Sequence, residues 1–321
     1  MANTNNQASV TSFFCGCGGL DLGFRGDFTY HGEYYPALPF SIDKAYDFNK
    51  PCVDTYNSFF GNKAQMMDLS QANINTFNKT DVLIGGFPCQ EFSSCGPLGG
   101  LDSDRGQLYK VMIRYMQAHR PKVVVGENVI NLLRMEEGKV IQTIIADLKS
   151  VGYKVEVWNL FAPDYGVPQN RNRLFFVCVR EDLPGFPQKP EPHFIDNHRS
   201  IEWAIGDLVE VADERIPNQS QYFKASRAKK GNGQGDEINK RDKPAYTIRA
   251  NPKSRVQFHY SLDRRLTVRE CARIQTFPDN FIFKHSMTTS ISQIGNAVPP
   301  ILGYCVARAV ADYMKGVGGE Q

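Results

Sequence analysis

The sequence predicts an α/β fold, in which a mostly parallel sheet carries helices on both faces and a small, mainly β domain is attached. Up to residue 180, short apolar runs typical of buried strands alternate with amphipathic helical patterns, and this alternation indicates a parallel sheet covered on both faces. From Glu181 onward, closely spaced prolines and a basic, glycine-rich loop interrupt the alternation, which returns after residue 260. We therefore expect residues 1–184 and 261–321 to form the larger domain and residues 185–260 the smaller one.

Hydrophobic periodicity places the individual elements. Strands are predicted at 10–14, 40–46, 82–84, 122–129 and 153–160, and helices at 108–118 and 139–150. Thr267 and Glu270 form a capping-box pattern for a helix that ends at Pro278, and Pro299-Pro300 opens a last helix that runs to about residue 314. In the smaller domain, residues 243–249 and 254–259 are predicted to be strands.

Composition narrows the class of protein. The chain has 321 residues, is 41% hydrophobic and carries a net charge of only +3, so nucleic-acid binding would need a local basic patch. The N-terminus lacks the pattern of a secretory signal, and no apolar run approaches the length of a membrane span, so we expect a cytoplasmic protein without membrane contact. The eight cysteines show no CxxC pair and no paired Cys/His spacing, which predicts neither a metal site nor a disulfide framework.

A glycine-rich turn and three acidic residues predict a nucleotide site. The first strand runs into Cys15-Gly-Cys-Gly-Gly19, where backbone without Cβ atoms can approach a ligand closely, although a tight turn without chemical purpose gives the same pattern. Asp47 follows the second strand and could accept hydrogen bonds from ribose hydroxyls, with Phe48 stacking on a base; Asp43 is the alternative ribose contact. Asp68 is placed to contact the base. Because the chain lacks a phosphate-binding GxxxxGK[ST] run, adenosine without a polyphosphate is the simplest ligand.

Cys89 is the candidate nucleophile. It follows a buried strand in Gly85-Gly-Phe-Pro-Cys-Gln90, at the sheet edge where α/β proteins place ligands, although an arbitrary cysteine is more often a buried structural residue. The glycine-rich segment 93–105 beside it has the character of a lid. Glu127 ends another buried strand, where a carboxylate needs a partner. Gln169, Arg171 and Arg173 alternate, which puts them on one face as a contact set for an oxyanion, carbonyl or phosphate.

Taken together and in order, these motifs resemble the C5-cytosine DNA methyltransferases of bacterial restriction-modification systems over essentially the whole chain. The matching motifs are Phe14 to Gly19, Asp47, Gly-Phe-Pro-Cys89-Gln, Asp104-Arg-Gly-x-Leu108, Glu127-Asn-Val129, Gln169-x-Arg-x-Arg173, Arg269-Glu270 with Phe277-Pro278, and Gly295-Asn-x-Val-Pro299. The chain departs from the family pattern at Cys15 and Cys17 and in a longer stretch before Asp47, which keeps Asp43 open as the ribose contact.

The resemblance implies a Rossmann-like, S-adenosylmethionine-dependent fold and a DNA (cytosine-5)-methyltransferase. Cys89 would attack carbon 6 of cytosine, Glu127 would hold the N3 edge, and Arg171 and Arg173 would face the ring carbonyl. S-adenosylmethionine is the implied cofactor, and the implied cofactor contacts are Phe14, Gly16, Gly18, Gly19, Leu20, Asp47, Phe48, Asp68, Leu69, Pro88, Leu108, Asn296 and Val298.

The resemblance also implies a partner, double-stranded DNA with a short, GC-rich site, from which a monomeric enzyme flips the target cytosine. The smaller domain would read the sequence. The implied DNA contacts are Gln90, Ser93, Arg105, Gln169, Arg227, Arg249, Arg255 and Gln257. Two alternatives stay open from the sequence: a tRNA cytosine-5 methyltransferase, which shares the same residues, and a non-catalytic DNA-binding member of the fold.

Overall fold

The computed structural model describes residues 7–87, 108–220, 236–250 and 256–317. The strands are β1 (Ala8–Phe13), β2 (Phe28–Tyr30), β3 (Glu33–Tyr35), β4 (Phe40–Asp47), β5 (Ala64–Met66), β6 (Val82–Gly86), β7 (Val123–Val129), β8 (Tyr153–Phe161) and β9 (Asn172–Arg180). The helices are α1 (Gly19–Arg25), α2 (Lys50–Phe60), α3 (Tyr109–His119), α4 (Lys139–Ser150), α5 (Ile201–Ile205), α6 (Val268–Ile274), α7 (Met287–Asn296) and α8 (Pro300–Val317). Short 3₁₀ turns link several of them.

Seven strands form one sheet in the order β5-β4-β1-β6-β7-β9-β8. The pairs from β5 to β7 are parallel, whereas β9 runs antiparallel to both β7 and β8. The mostly parallel sheet predicted from the sequence is therefore confirmed. The antiparallel end arises because only the short turn Ala162–Tyr165 and a few further residues join β8 to β9, too few for the crossover that a parallel pair needs.

The two faces of the sheet carry separate hydrophobic clusters. Alternate residues of a strand point to opposite faces, and in β6 Val82 and Ile84 join one cluster while Leu83 joins the other. The first cluster packs against α1, α6, α7 and α8, and the second against α3 and α4. Helices thus cover both faces, as the sequence predicts.

Local signals explain where helices begin. The capping box predicted at α6 is present, because Thr267 accepts a hydrogen bond from the Glu270 backbone and the Glu270 carboxylate accepts one from Thr267. The α4 helix has the predicted bounds, and Pro300 opens α8. By length and composition, the helical stretch Met287–Val317 could cross a membrane, which the sequence analysis did not predict. However, 72% of its most apolar window is buried inside the protein, as in a core helix.

The span 185–260 differs from its predicted secondary structure. Its described part holds α5, a 3₁₀ turn at Gly206–Leu208 and isolated β-bridges, and the strand predicted at 243–249 is wrong. Side-chain acceptors replace a strand ladder there, since Asn239 Oδ1 accepts from the Tyr246 backbone and Gln169 Oε1 accepts from the Ile248 backbone. Of the strand predicted at 254–259, residues 254 and 255 lie outside the described residues, and Phe258 forms only single bridges.

The small antiparallel pair β2–β3, which the sequence pattern does not predict, contacts residues of the span 185–260. Its Glu33 carboxylate forms an ion pair with Arg199, and His31 Nε2 lies 2.8 Å from the carbonyl oxygen of Ala204. Ile201, Ala204 and Leu208 are fully buried in the same cluster as Val298. Part of the span 185–260 therefore packs directly on residues of the spans 1–184 and 261–321.

Candidate active site

The first part of the site is the turn between β1 and α1. Gly16 adopts a positive φ of 53°, and a Cβ atom there would meet no atom of the described residues within 4 Å. Gly19 is the opposite case, because its Cβ would lie 2.2 Å from the Val298 carbonyl oxygen. The turn thus leaves open space at Gly16 while its end packs tightly against the segment before α8. Phe14 and Gly18 also take positive φ, and Leu20 is buried.

Asp47 lies at the carboxyl end of β4, facing this turn. Its Oδ2 accepts a hydrogen bond from the Gly16 backbone at 2.8 Å, and its Oδ1 accepts one from the Asn49 backbone at 2.9 Å. Burial raises the pKa of the Asp47 carboxyl, and the two backbone N–H groups oppose that rise. Asp43 lies inside β4, four residues before its end. The structure therefore brings Asp47, and not Asp43, to the glycine-rich turn.

The remaining predicted cofactor contacts surround Asp47. Phe48 is 64% exposed, a large value for an aromatic side chain beside a buried carboxylate. The Met67 backbone donates to Asp47 O at 2.9 Å, which brings the exposed Asp68 and the buried Leu69 next to the end of β4. Leu108 is half-buried at the start of α3, and Asn296 is exposed at the end of α7.

The second part of the site is a buried ion pair at the carboxyl end of β7. Arg173 Nε lies 2.8 Å from Glu127 Oε1, with side chains 13% and 10% exposed. Gly86 faces this pair, since a Cβ on it would lie 3.0 Å from Glu127 Oε2. Burial raises the pKa of the Glu127 carboxyl, and the charges of Arg173 and Arg171 oppose that rise. A carboxyl with a raised pKa and a fixed arginine partner is suited to exchange a proton with a ligand.

Both parts lie at one edge of the sheet because of strand register. Phe13, the last residue of β1, is paired with Tyr46 on one side and with Gly85 on the other, and Gly86 is paired with Glu127. Carboxyl ends of adjacent parallel strands form the usual ligand crevice of an α/β sheet. The structure thus places a buried carboxylate–guanidinium pair next to an open, glycine-rich crevice with an exposed aromatic ring.

Comparison with known proteins identifies the family. The family model of the C-5 cytosine-specific DNA methylases matches residues 8–312. The chain belongs to this family. The protein is therefore a DNA cytosine-5-methyltransferase of the restriction-modification class, in a family whose enzymes use S-adenosylmethionine.

Individual relatives agree with this assignment. The chain is 32% identical to the type II methyltransferase M.NgoFVII of Neisseria gonorrhoeae, over 94% of this chain and 85% of that protein. It is 30% identical to M.FnuDI of Fusobacterium nucleatum, over 94% of each. A candidate DNA modification methyltransferase encoded within an E. coli prophage has a similar fold, with a TM-score of 0.73 at 21% identity, covering 96% of this chain and 100% of that one.

Arg171 and Gln169 of this methyltransferase are buried in the protein. Arg171 Nη2 donates to the carbonyl oxygens of Gly295 and Ala297 at 2.8 and 2.9 Å, and Nη1 donates to that of Ile248 at 3.3 Å. Gln169 is fully buried, and its Oε1 lies 3.4 Å from Arg171 Nη1. Of the predicted contact set, only Arg173 reaches Glu127. The predicted substrate contacts of Arg171 and Gln169 stay predictions. In the structure both side chains form hydrogen bonds to segments that are distant in the sequence.

Other predicted site residues are placed as follows. Gln257 is buried and its Nε2 donates to Thr247 O at 3.1 Å, whereas Arg249 is half-buried. Their DNA contacts stay predictions. Outside the described residues lie Pro88, Cys89, Gln90, Ser93, Arg105, Arg227 and Arg255, together with the proposed lid. Among the residues that the structure describes, no cluster of His, Cys, Asp or Glu could hold a metal ion.

Two residues without a predicted role also shape this site. Asn128 Nδ2 donates to Phe87 O at 3.3 Å, and its Oδ1 accepts from the Val129 backbone at 2.8 Å. It thereby fixes the chain immediately before Pro88-Cys89. Gln275 is fully buried, and its Nε2 donates to Ala297 O at 2.5 Å. Asn128 stands next to Glu127 in the sequence, which is a usable signal, whereas nothing local marks Gln275.

Proposed function

We propose that the enzyme flips a cytosine out of a short, specific site in duplex DNA, attacks its carbon 6 with Cys89, and methylates carbon 5. The buried Glu127–Arg173 pair carries this proposal, because it sits at the sheet edge next to Phe87, from which the chain continues directly to Pro88-Cys89. Burial of a charged pair costs desolvation free energy. A buried carboxyl with a raised pKa and a charged partner, placed in a cleft, is therefore a candidate for a functional site.

Residues at the first crevice are suited to S-adenosylmethionine. Asp47 keeps lone pairs beyond the two used by Gly16 and Asn49, which can accept from the ribose hydroxyls. Phe48 offers an exposed ring for the adenine, and the open space at Gly16 lets the ligand approach the backbone. When bound, the cofactor supplies an electrophilic methyl group. Phe14, Gly18, Gly19, Leu20, Asp68, Leu69, Pro88, Leu108, Asn296 and Val298 complete the proposed pocket.

Cys89 makes carbon 5 reactive. Its thiolate forms a bond to carbon 6, and the electron pair of the 5,6 double bond moves to carbon 5 and into the conjugated ring. Glu127 holds the N3 edge and shares a proton with it, which disperses the new charge. Arg173 keeps Glu127 oriented and donates a hydrogen bond toward the ring carbonyl. Arg171 would face the same carbonyl. Transfer of the methyl group to carbon 5 would leave S-adenosylhomocysteine. A base, such as a solvent water molecule, then takes the carbon 5 proton, the 5,6 double bond forms again, and the bond from carbon 6 to sulfur breaks to release the Cys89 thiolate.

The target base reaches this crevice only when it leaves the duplex, so the proposal includes base flipping with the segment 93–106 as a lid. The span 185–260 would select a short, GC-rich sequence, with arginine contacts to guanine. As in type II systems, methylation would protect host DNA from a cognate restriction enzyme. We place the enzyme in the cytoplasm as a monomer.

The test is a comparison of the wild-type protein with Cys89→Ser. The variant should bind DNA and S-adenosylmethionine but lose methyl transfer, because a serine hydroxyl ionises far less readily than a thiol. Methylation-sensitive sequencing of DNA from cells that express the wild type will identify the site. Radiolabelled transfer to duplex DNA and to tRNA, measured side by side, separates the two nucleic acids. Substantial transfer by Cys89→Ser would remove Cys89 from the nucleophile role.

A further inference from the structure

Gln275 lies at the centre of a buried hydrogen-bond network that connects three segments distant in the sequence. Its Nε2 donates to Ala297 O at 2.5 Å, and its Oε1 accepts from Gln169 Nε2. Gln275 and Gln169 are both fully buried. A buried amide that lost one of these partners would leave a desolvated polar atom behind, so the network fixes the relative positions of its members.

The network continues from Gln169 to the residue before Arg249. Gln169 Oε1 accepts from the Ile248 backbone at 3.1 Å, and Arg171 Nη1 donates to Ile248 O at 3.3 Å. The same guanidinium donates through Nη2 to Gly295 and Ala297. Both backbone groups of Ile248 are therefore held by side chains that connect to the 295–297 turn at the end of α7. Arg171 reaches this turn directly, and Gln169 reaches it through Gln275.

Direct backbone packing supports the same connection. A Cβ atom on Gly295 would lie 2.5 Å from the Arg249 carbonyl carbon, so the two chain segments touch without side chains between them. Ser292 Oγ donates to Ala250 O at 2.8 Å. A shift of the segment 248–250 cannot leave the turn 295–297 in place, because close-packed contacts and hydrogen bonds transmit the displacement.

The two ends of the network carry different proposed ligand contacts. Arg249 belongs to the proposed DNA contacts, while Asn296 and Val298 belong to the proposed cofactor pocket. The Val298 carbonyl in turn lies against Gly19, at the start of α1. A contiguous path of hydrogen bonds and backbone contacts thus joins the DNA side to the cofactor side.

We propose that Gln275 is a positioning residue that couples DNA engagement to cofactor binding through Ala297. This inference rests on the proposed function, since it takes Arg249 as a DNA contact and Asn296 and Val298 as part of the cofactor pocket. DNA bound at Arg249 holds the segment 248–250, and Gln169, Arg171 and Gln275 transfer that restraint to the turn. By linkage, the cofactor must tighten DNA binding by the same factor.

The experiment compares Gln275→Met with a matched control, Gln219→Met. Gln219 is also fully buried, donates to Val211 O at 3.1 Å and accepts from Thr267 Oγ1 at 2.7 Å, so the same change removes equivalent hydrogen bonds away from the network. Calorimetry measures the dissociation constant of S-adenosylhomocysteine with and without a duplex oligonucleotide that carries the site found by sequencing. The ratio of the two constants is the coupling factor.

In the wild type we expect DNA to tighten binding of S-adenosylhomocysteine by about 5- to 150-fold, the usual range of allosteric coupling. Gln275→Met should lower this factor by about 2- to 30-fold, since the direct contacts of Gly295 with Arg249 remain. Gln219→Met should keep the wild-type factor although it lowers the melting temperature. The proposal is overturned if the wild type shows no coupling, if Gln275→Met keeps it, or if both variants lose it equally.

Two additions keep the result decisive. If Gln275→Met does not fold, Gln275→Asn keeps a neutral amide but is one methylene shorter, so it cannot reach both Ala297 O and Gln169 Nε2, and it should also lower the coupling. Gln169→Met provides the same test from the other side. A wild-type protein that neither binds S-adenosylhomocysteine nor methylates DNA would instead contradict the proposed function itself.

Discussion

Arg173 and Glu127 form a buried ion pair across the antiparallel junction of β9 and β7, with Nε 2.8 Å from Oε1. Val129 is paired with Arg173, and Glu127 is paired with Phe175. Arg173 therefore lies opposite the residue two positions after Glu127. The antiparallel end of the sheet is therefore what lets the amino end of β9 meet the carboxyl end of β7. A parallel β9 would bring the opposite end of that strand to the site.

Glu127→Gln should lower kcat by about 10²- to 10⁴-fold, the usual contribution of a positioned acid or base. The amide preserves shape but cannot exchange a proton with the cytosine ring. Single-turnover methylation of the identified site measures the effect, and DNA affinity should change little. The control is Glu156→Gln, at an exposed residue of β8, where the amide can still accept from Trp158 Nε1. A kcat for Glu127→Gln within tenfold of wild type would contradict the proton-sharing role.

Asp47→Ala should weaken binding of S-adenosylmethionine by roughly 1–3 kcal/mol, the scale of lost hydrogen bonds to a charged group. Asp43→Ala is the matched control, because Asp43 lies on the same strand but four residues from its end. Calorimetric titration measures the affinity of both variants for S-adenosylmethionine. Thermal melting shows how much stability Asp47→Ala loses because the Gly16 and Asn49 backbone groups lack their acceptor. An equal or larger effect at Asp43 would move the ribose contact to that residue.

The sequence predicted the elements of the sheet better than their pairing. The bounds of α4 and the capping box of α6 depend on neighbouring residues, so local patterns were sufficient. The strand direction of β9 depends on a short connection, and the predicted strand at 243–249 failed because Asn239 and Gln169 side chains take its backbone hydrogen bonds. Those contacts join residues distant in the chain, which periodicity does not report.

In the candidate site, too, local patterns were predictable and contacts between distant residues were not. Asp47 and Glu127 could be placed because carboxyl ends of strands share one edge of the sheet. The internal roles of Arg171 and Gln275 could not be predicted, since the Gln169–Gln275 contact spans 106 positions of the chain. A buried arginine and a ligand-binding arginine have the same residue type and strand spacing. Only the carbonyl groups around Arg171 distinguish them.

The stability of the enzyme should fall as the pH drops from about 6.5 toward 4, with His259 contributing to the loss. Burial lowers the pKa of His259 to about 4, although the nearby Glu270 carboxylate opposes the shift. Because the unfolded chain takes up a proton at a higher pH than the folded protein, ΔG of unfolding increases with pH across this window. His259 Nδ1 accepts from the Ser261 and Leu262 backbones, which a protonated ring could not do.

His259→Gln keeps an acceptor for these backbone groups and removes the titration. Urea unfolding at a series of pH values should therefore show a flatter dependence in this variant, by roughly 1–3 kcal/mol between pH 7 and 4.5. His193→Gln, at an exposed position, serves as the control because other titrating groups stay common to both variants. Parallel curves for wild type and His259→Gln would rule out this contribution.

Exchanging residues 221–235 for the corresponding loop of a relative with another site should redirect methylation without abolishing it. This basic, glycine-rich segment lies outside the described residues, between the buried Gln219 and the buried Asp236. The wider exchange of 185–260 also replaces Ile201, Ala204 and Leu208, which are fully buried in the same cluster as Val298. Since loss of a buried isoleucine or leucine side chain typically costs about 2–5 kcal/mol, the wider chimera should melt at a lower temperature unless the donor supplies residues equivalent to Ile201 and Leu208.

Methylation-sensitive sequencing reads the site of each chimera, and thermal melting reads its stability. Within residues 221–235, Arg227→Ala separates two kinds of contact. If Arg227 contacts a base, the loss should be about 1–3 kcal/mol and specificity should relax at one position. If it contacts a phosphate, binding should weaken for all sequences and the salt dependence should flatten. A stable 221–235 chimera that still methylates the original site would place recognition elsewhere, with the segment around Arg249 and Arg255 as the next region to exchange.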